Sequence, residues 1–214
     1  MSTISTNYIH GHAAAGLTVP SRRAELQIEV VRKSIHLLIG FVPMVATLIG
    51  VPPTLLLLGA GIILYTSAEY LRYTGTRVPL ISRITELASR DRDKNHFVLG
   101  PVTLGLGAML ALMLYPEPAA SIAIYALAFG DGMASLFGKA FGRIKLPLTG
   151  GKSLEGSLGC FLAVFIPTYL LVEPQVSLAI VIAAFAAFIE ALPTRDFDNI
   201  VMPTVTGAFA LLVL

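Results

Sequence analysis

Asp131 sits inside an apolar run, flanked by Gly130 and Gly132, with Ser135 and Gly138 on the same helical face at i+4 and i+7. The chain leaves that run through Lys139, Arg143 and Lys145, and enters the next through Gly150, Gly151, Lys152, Ser153 and Glu155. A carboxylate at membrane depth, a basic connection and a glycine-flanked lysine together point to phosphate and metal chemistry at a bilayer surface. An ionised group at such a depth is costly unless it is paired or wet. One reading of Asp131 is therefore a buried acid paired with a lysine or arginine from another helix. The other is metal ligation or catalysis, favoured by flanking glycines that let a ligand approach the backbone.

Lys152 and Ser153 open an apolar segment, where helix N-terminal amides attract phosphate and the lysine adds a point charge. The Gly-Gly-Lys-Ser order is not a Walker A loop. That motif requires glycine at 146, where Leu146 stands, and a preceding strand, where the pattern reads as a loop. Glu155 either favours the helix dipole or helps hold a metal and orient Lys152. Glu190 precedes Leu192 and Pro193, and the turn at 194–199 carries Asp196, Asp198 and Asn199. These oxygen donors suit Mg²⁺, which is commonly shared with nucleotide phosphates, although a solvated turn would have a similar composition. Upstream, Glu29, Arg32, Lys33, His36 and Gly40 recur at helical spacing. Arg32 and Lys33 read equally as interfacial anchors, and His36 as a core hydrogen bonder. Glu69 reads as a structural partner of Arg72 at i+3, and His10 and His12 as solvated residues of a small, polar N-terminal stretch.

These residues need elements to hold them. Of 214 residues, 55% are hydrophobic and 13% charged, with a mean hydropathy of +0.78. A soluble domain is about 25% charged. The expected class is all-α, a polytopic integral membrane bundle, because backbone groups in lipid must pair within each segment. Seven apolar segments are predicted, at about 34–50, 52–70, 97–115, 119–137, 154–172, 176–192 and 200–214. Residues 1–20 are expected to form a mobile tail without signal-peptide character, and 21–214 one transmembrane domain. The single Cys160 allows no disulfide framework. All 15 lysines and arginines fall on one side of this topology. The positive-inside rule then puts the N-terminus and the three long connections in the cytoplasm. The longest connection, 72–96, contains a predicted interfacial or loop helix from Pro79, with Leu80, Ile81, Ile84, Leu87 and Ala88 on its apolar side. Its end, 91–96, reads as a polar turn. Paired glycines such as Gly105 and Gly107 predict close helix packing.

Four pieces resemble the CTP-dependent lipid-alcohol kinases, the family of dolichol and phytol kinases and their bacterial and archaeal relatives. They are RKSIH at 32–36, FGDGMASLFGKAFG at 129–142, GKSLEGS at 151–157, and EALP at 190–193 with DNIVMP at 198–203. The resemblance implies phosphoryl transfer from CTP to the hydroxyl of a membrane lipid alcohol, a polyprenol, dolichol, phytol or diacylglycerol, with Mg²⁺ assistance at the cytoplasmic face. It implies catalytic roles for Asp131, Lys152 and Glu155. It implies nucleotide contacts from Lys33, His36, Lys139, Gly151, Lys152 and Ser153, and metal contacts from Asp131, Glu190, Asp198 and Asn199. Asp131 or Glu155 is expected to accept the hydroxyl proton. The partners expected are lipid, nucleotide and bilayer, and no nucleic acid. Segment 72–96 carries no part of the resemblance. The competing readings are a phosphatidate cytidylyltransferase-like enzyme, which would release pyrophosphate, and a small ion-coupled transporter using Asp131 and Glu190 as a relay.

Overall fold

The structure is a computed structural model that describes residues 22–76, 78–88, 96–172, 174–194 and 197–214. The 1–20 tail with His10 and His12, most of the polar turn at 91–96, and Arg195 and Asp196 lie outside the described residues. The described residues form helices α1 (Arg22–Ile39), α2 (Val42–Ile49), α3 (Val51–Tyr73), α4 (Pro79–Ala88), α5 (Gly100–Leu114), α6 (Ala119–Tyr125), α7 (Asp131–Phe141), α8 (Leu154–Pro167), α9 (Val176–Ala191) and α10 (Asp198–Val213). Among them no strand occurs. The isolated bridge between Lys145 and Ser153 merely closes a loop.

Every predicted apolar segment folds as helix. Among the described residues, four stretches are long and apolar enough to cross a membrane: Leu26–Ile49, Val51–Tyr73, Ala119–Phe141 and Leu154–Val172. Helices α5, α9 and α10 are apolar but shorter. The segment expected to begin at 34 starts twelve residues earlier, because Glu29, Arg32 and Lys33 find partners inside the bundle and need not stay in the headgroups. It breaks at Gly40, where a Cβ would lie 2.4 Å from the Phe129 ring, and resumes with Pro43 in the first turn of α2.

The central helix is Ala119–Phe141, with 72% of its most apolar window buried, against 11% for α3. The outward side chains of α3, including Leu56, Leu57, Ile63 and Leu64, are exposed aliphatics. Such a surface suits acyl chains and not water. The central helix contains a π turn, Ala126–Gly130, directly before Asp131. It also continues to Phe141, past the expected end at 137, because Gly138 packs beside Gly156 of α8 and Lys139 is neutralised by Glu29. Asp131 therefore lies about 15 Å from that helix end, at about 1.5 Å per residue.

Small residues let the helices approach closely, as expected. A Cβ at Gly107 would fall 1.9 Å from the Asn199 carbonyl oxygen, and one at Gly156 would fall 2.8 Å from that of Ala134. Between α3 and α5, α4 packs against α1 and α3. Ser82 and Thr85 are buried, whereas Ile84 and Leu87 point outward. A helix with hydroxyls toward the bundle and aliphatics outside fits a position in the headgroup–acyl boundary.

Candidate active site

Helices α1 and α7 pack antiparallel with a matched polar register. Glu29, fully buried, accepts hydrogen bonds from Arg32 Nη2 at 2.7 Å, Ser135 Oγ at 2.5 Å and Lys139 Nζ at 2.6 Å. One turn further along α1, buried Lys33 forms an ion pair with Asp131 Oδ2. His36 Nδ1 lies 3.0 Å from the same oxygen without completing a hydrogen bond of its own. Lys33 and His36 thus both address Oδ2 of a carboxylate that also lines the cavity described below. The cluster holds three cations, Arg32, Lys33 and Lys139, against two carboxylates, Glu29 and Asp131. Charges this deep persist only when paired and hydrogen-bonded, and the surplus positive charge favours an anionic ligand.

The connection from α7 to α8 folds back on itself. Leu146 N donates to Lys152 O and Leu154 N to Ile144 O, both at 2.9 Å. Gly150 and Gly151, with φ of 70° and 98°, make the reversal in the left-handed region that glycine tolerates. A Cβ on Gly151 would meet nothing within 4 Å, so backbone conformation and not crowding calls for glycine here. Ser153 caps α8 by accepting from Gly156 N at 3.2 Å. Lys152 Nζ lies 3.0 Å from Glu190 Oε1 and also donates to the Glu190 backbone carbonyl.

Across from this loop, the start of α10 supplies Asp198 and Asn199. Asp198 accepts from the Thr194 hydroxyl. Asn199 Nδ2 donates to Thr103 Oγ1 at 2.9 Å and to Gly100 O at 3.3 Å, which ties α10 to α5. Glu69 behaves as its spacing predicted. It accepts two bonds of 2.7 Å from Arg72, and also one of 2.8 Å from Val98 N, fixing the approach to α5.

One cavity of about 880 Å³ collects these groups. Lys33, His36, Asp131, Lys139, Gly151, Lys152, Ser153, Glu190, Asp198 and Asn199 all line it, as do Arg32, Ser135 and Lys145. Glu155 does not. Its carboxylate accepts from Arg143 N at 2.9 Å and Ile144 N at 3.2 Å and lines a neighbouring hollow with Arg143 and Lys145. Arg32, Ser135 and Lys145 line the cavity without having been predicted as site residues, and the residue that holds the first two, missed with them, is Glu29. Its place in the i, i+4, i+7 stripe with Lys33 and His36 was the available signal.

The donor set bears on Mg²⁺. Glu190, Asp198 and Asn199, all lining the cavity, carry oxygen donors. Among the described residues no three His, Cys, Asp or Glu side chains form a preassembled cage. That pattern fits an ion carried largely by phosphate oxygens, with one or two carboxylates completing its shell.

Comparison with known proteins finds similar lipid kinases. The farnesol kinase of Arabidopsis thaliana chloroplasts is 31% identical over 137 residues, covering 57% of this chain and 45% of that protein. The CTP-dependent diacylglycerol kinase 1 of Schizosaccharomyces pombe is 25% identical over 205 residues, covering 87% of this chain and 94% of its own length. The chain is thus similar to proteins named as farnesol, phytol and CTP-dependent diacylglycerol kinases. The phytol kinase of Synechocystis is 26% identical over 183 residues, with 82% and 75% covered. The chain spans about half the length of the Arabidopsis farnesol kinase and of a wheat phytol kinase. No family model and no solved structure matches it.

Proposed function

We propose that the protein is a CTP-dependent lipid-alcohol kinase that phosphorylates the hydroxyl of a polyprenol, dolichol, phytol or diacylglycerol at the cytoplasmic membrane face. One observation carries the reading: cationic, acidic and apolar walls share a single cavity at one end of a membrane bundle. The kinase names of the relatives support it, and the printed CTP dependence of the fission-yeast relative supports the donor.

Lys139, Lys152, Ser153 and the amides near Gly151 hold the triphosphate, with Lys33, Arg32 and His36 facing it across the cavity. Glu190, Asp198 and Asn199 would hold Mg²⁺, which would supply charge neutralisation to the phosphates. The Asp131 carboxylate accepts the proton of the acceptor hydroxyl. The hydroxyl oxygen bonds to the γ-phosphorus, the bond from γ-phosphorus to the β-bridging oxygen breaks, and CDP departs. Positioning and charge neutralisation dominate such a reaction. Glu155 is assigned to loop support and not to proton transfer, since its oxygens engage backbone amides outside the cavity.

The bundle is read as crossing the bilayer seven times. Helices of 15 and 16 residues span about 23–24 Å at about 1.5 Å per residue, somewhat short of a hydrocarbon core of about 30 Å. In support, the cavity draws on the first half of the Leu26–Ile49 span, the second half of α3, the start of α5, the second half of the Ala119–Phe141 span, the start of α8, the end of α9 and the start of α10. Alternating crossings bring those ends to one side, where the basic residues also fall, which supports a cytoplasmic site.

Purified protein in lipid nanodiscs with Mg²⁺ and CTP is expected to release CDP only when a lipid alcohol is added. Lys152→Ala and Asp131→Asn are expected to abolish that release. Unchanged release in both variants would contradict the site, and pyrophosphate release would indicate cytidylyl transfer instead.

A further inference from the structure

The cavity continues into a part that phosphate binding does not use. Beyond His36, its walls become Ile35 of α1, Ile81, Ile84 and Ala88 of α4, Leu99, and Leu104 of α5. The mouth of this part is aliphatic on the outside as well. Ile84 is 41% exposed, Leu99 57%, and the neighbouring Leu87 54%. Exposed aliphatics at a cavity mouth favour an apolar exterior over water. The element that bears two of them, α4, has the outward face of a helix resting in the headgroup–acyl boundary. It follows the end of α3 and precedes the start of α5, so it lies at the end of the bundle that holds the charged cluster.

We infer that this side of the cavity is the acceptor-chain subsite. The apolar tail of a membrane-resident alcohol enters laterally between α4 and the start of α5. It lies against Ile81, Ile84, Ala88 and Leu104, with its hydroxyl toward Asp131. Lateral entry lets the hydroxyl reach Asp131 while the tail stays out of water, whereas entry from the aqueous mouth would draw the whole tail past Arg32, Lys139 and Lys152. The aliphatic walls take the chain just beyond the reach of a short prenol and leave the distal tail in the bilayer. The inference rests on the lipid-alcohol kinase reading for its ligand.

Two measurements on the full chain test it. In phosphatidylethanolamine–phosphatidylglycerol nanodiscs, a long-chain alcohol carrying a diazirine near its hydroxyl is expected to label α4 and residues 97–104. Excess unlabelled alcohol should displace that label. Label confined to other elements, or label that the alcohol does not displace, would overturn the subsite. In the second measurement, Ala88→Trp and Ile84→Trp are expected to raise KM for a long-chain prenol about tenfold, with KM for CTP and for a short, water-soluble prenol within about twofold. Equal effects on short and long acceptors, or no effect, would overturn it. Should the wild-type protein phosphorylate no alcohol, the kinase reading falls, and the labelling pattern still decides the subsite.

Discussion

Glu29 and Lys139, 110 positions apart in sequence, meet at 2.6 Å across the antiparallel packing of α1 and α7. The same carboxylate holds Arg32 and Ser135, so one buried acid fixes two of the cations on the cavity wall. Glu29→Gln keeps the shape and removes the charge. It is expected to lower stability by about 3–5 kcal/mol, the cost of leaving buried ionic partners uncompensated, and to raise KM for CTP more than it lowers kcat. Glu29→Asp should recover part of both. Thermal unfolding in detergent and steady-state kinetics check the pair of effects, and equal losses of kcat and kcat/KM with unaltered KM would argue against a positioning role.

Lys33 and Asp131 form the second buried pair. Each single neutral variant, Lys33→Met or Asp131→Asn, strands a charge, whereas the double variant strands none. The double variant is therefore expected to be more stable than the sum of the singles predicts, by about 1–3 kcal/mol of coupling. A double-mutant cycle on unfolding measures this. Turnover follows a different pattern: Asp131→Asn alone should lose about a hundredfold or more in kcat, the usual contribution of a positioned proton acceptor. The double variant should not regain it.

Glu155 was the sequence candidate that the structure moves out of the cavity. Glu155→Gln is expected to loosen the 143–154 loop, raising KM for CTP severalfold with kcat nearly held, the pattern of lost uniform binding. A collapse of kcat with KM unchanged would restore Glu155 to the chemistry.

Gly107 touches no proposed ligand, yet a Cβ there would collide with the Asn199 backbone. Gly107→Ala is expected to push α10 away from α5, destabilise the protein by about 1–3 kcal/mol, and weaken Mg²⁺ dependence through Asp198 and Asn199. A Mg²⁺ titration of CDP release, compared with wild type, reads the displacement. An unchanged titration and unfolding temperature would show that the crossing tolerates the methyl group.

Much of this arrangement is legible in the sequence because a bilayer punishes misplaced polarity. Fifteen basic residues at one side of a seven-segment pattern, and acids inside apolar runs, leave few places for a site. Ten sequence-chosen residues line the same cavity for that reason. Glu29 escaped because helical spacing shows that Glu29, Lys33 and His36 share a face, without showing whether that face meets headgroups or α7. The start of α1 and the depth of Asp131 depended on the same unseen pairing, which carries both helices past their apparent polar ends. Glu155 escaped because its direction is set by how the loop folds back, through contacts with Arg143 and Ile144 twelve and eleven positions away.

The central claim is that a terminal phosphoryl group moves from CTP to a lipid hydroxyl inside this cavity. CTP carrying distinct labels on the base and on the γ-phosphate, incubated with the protein, Mg²⁺ and a lipid alcohol, tests it most directly. The account predicts γ-label in the organic phase and base label in water as CDP. Base label in the organic phase, or no transfer of either label, would contradict it.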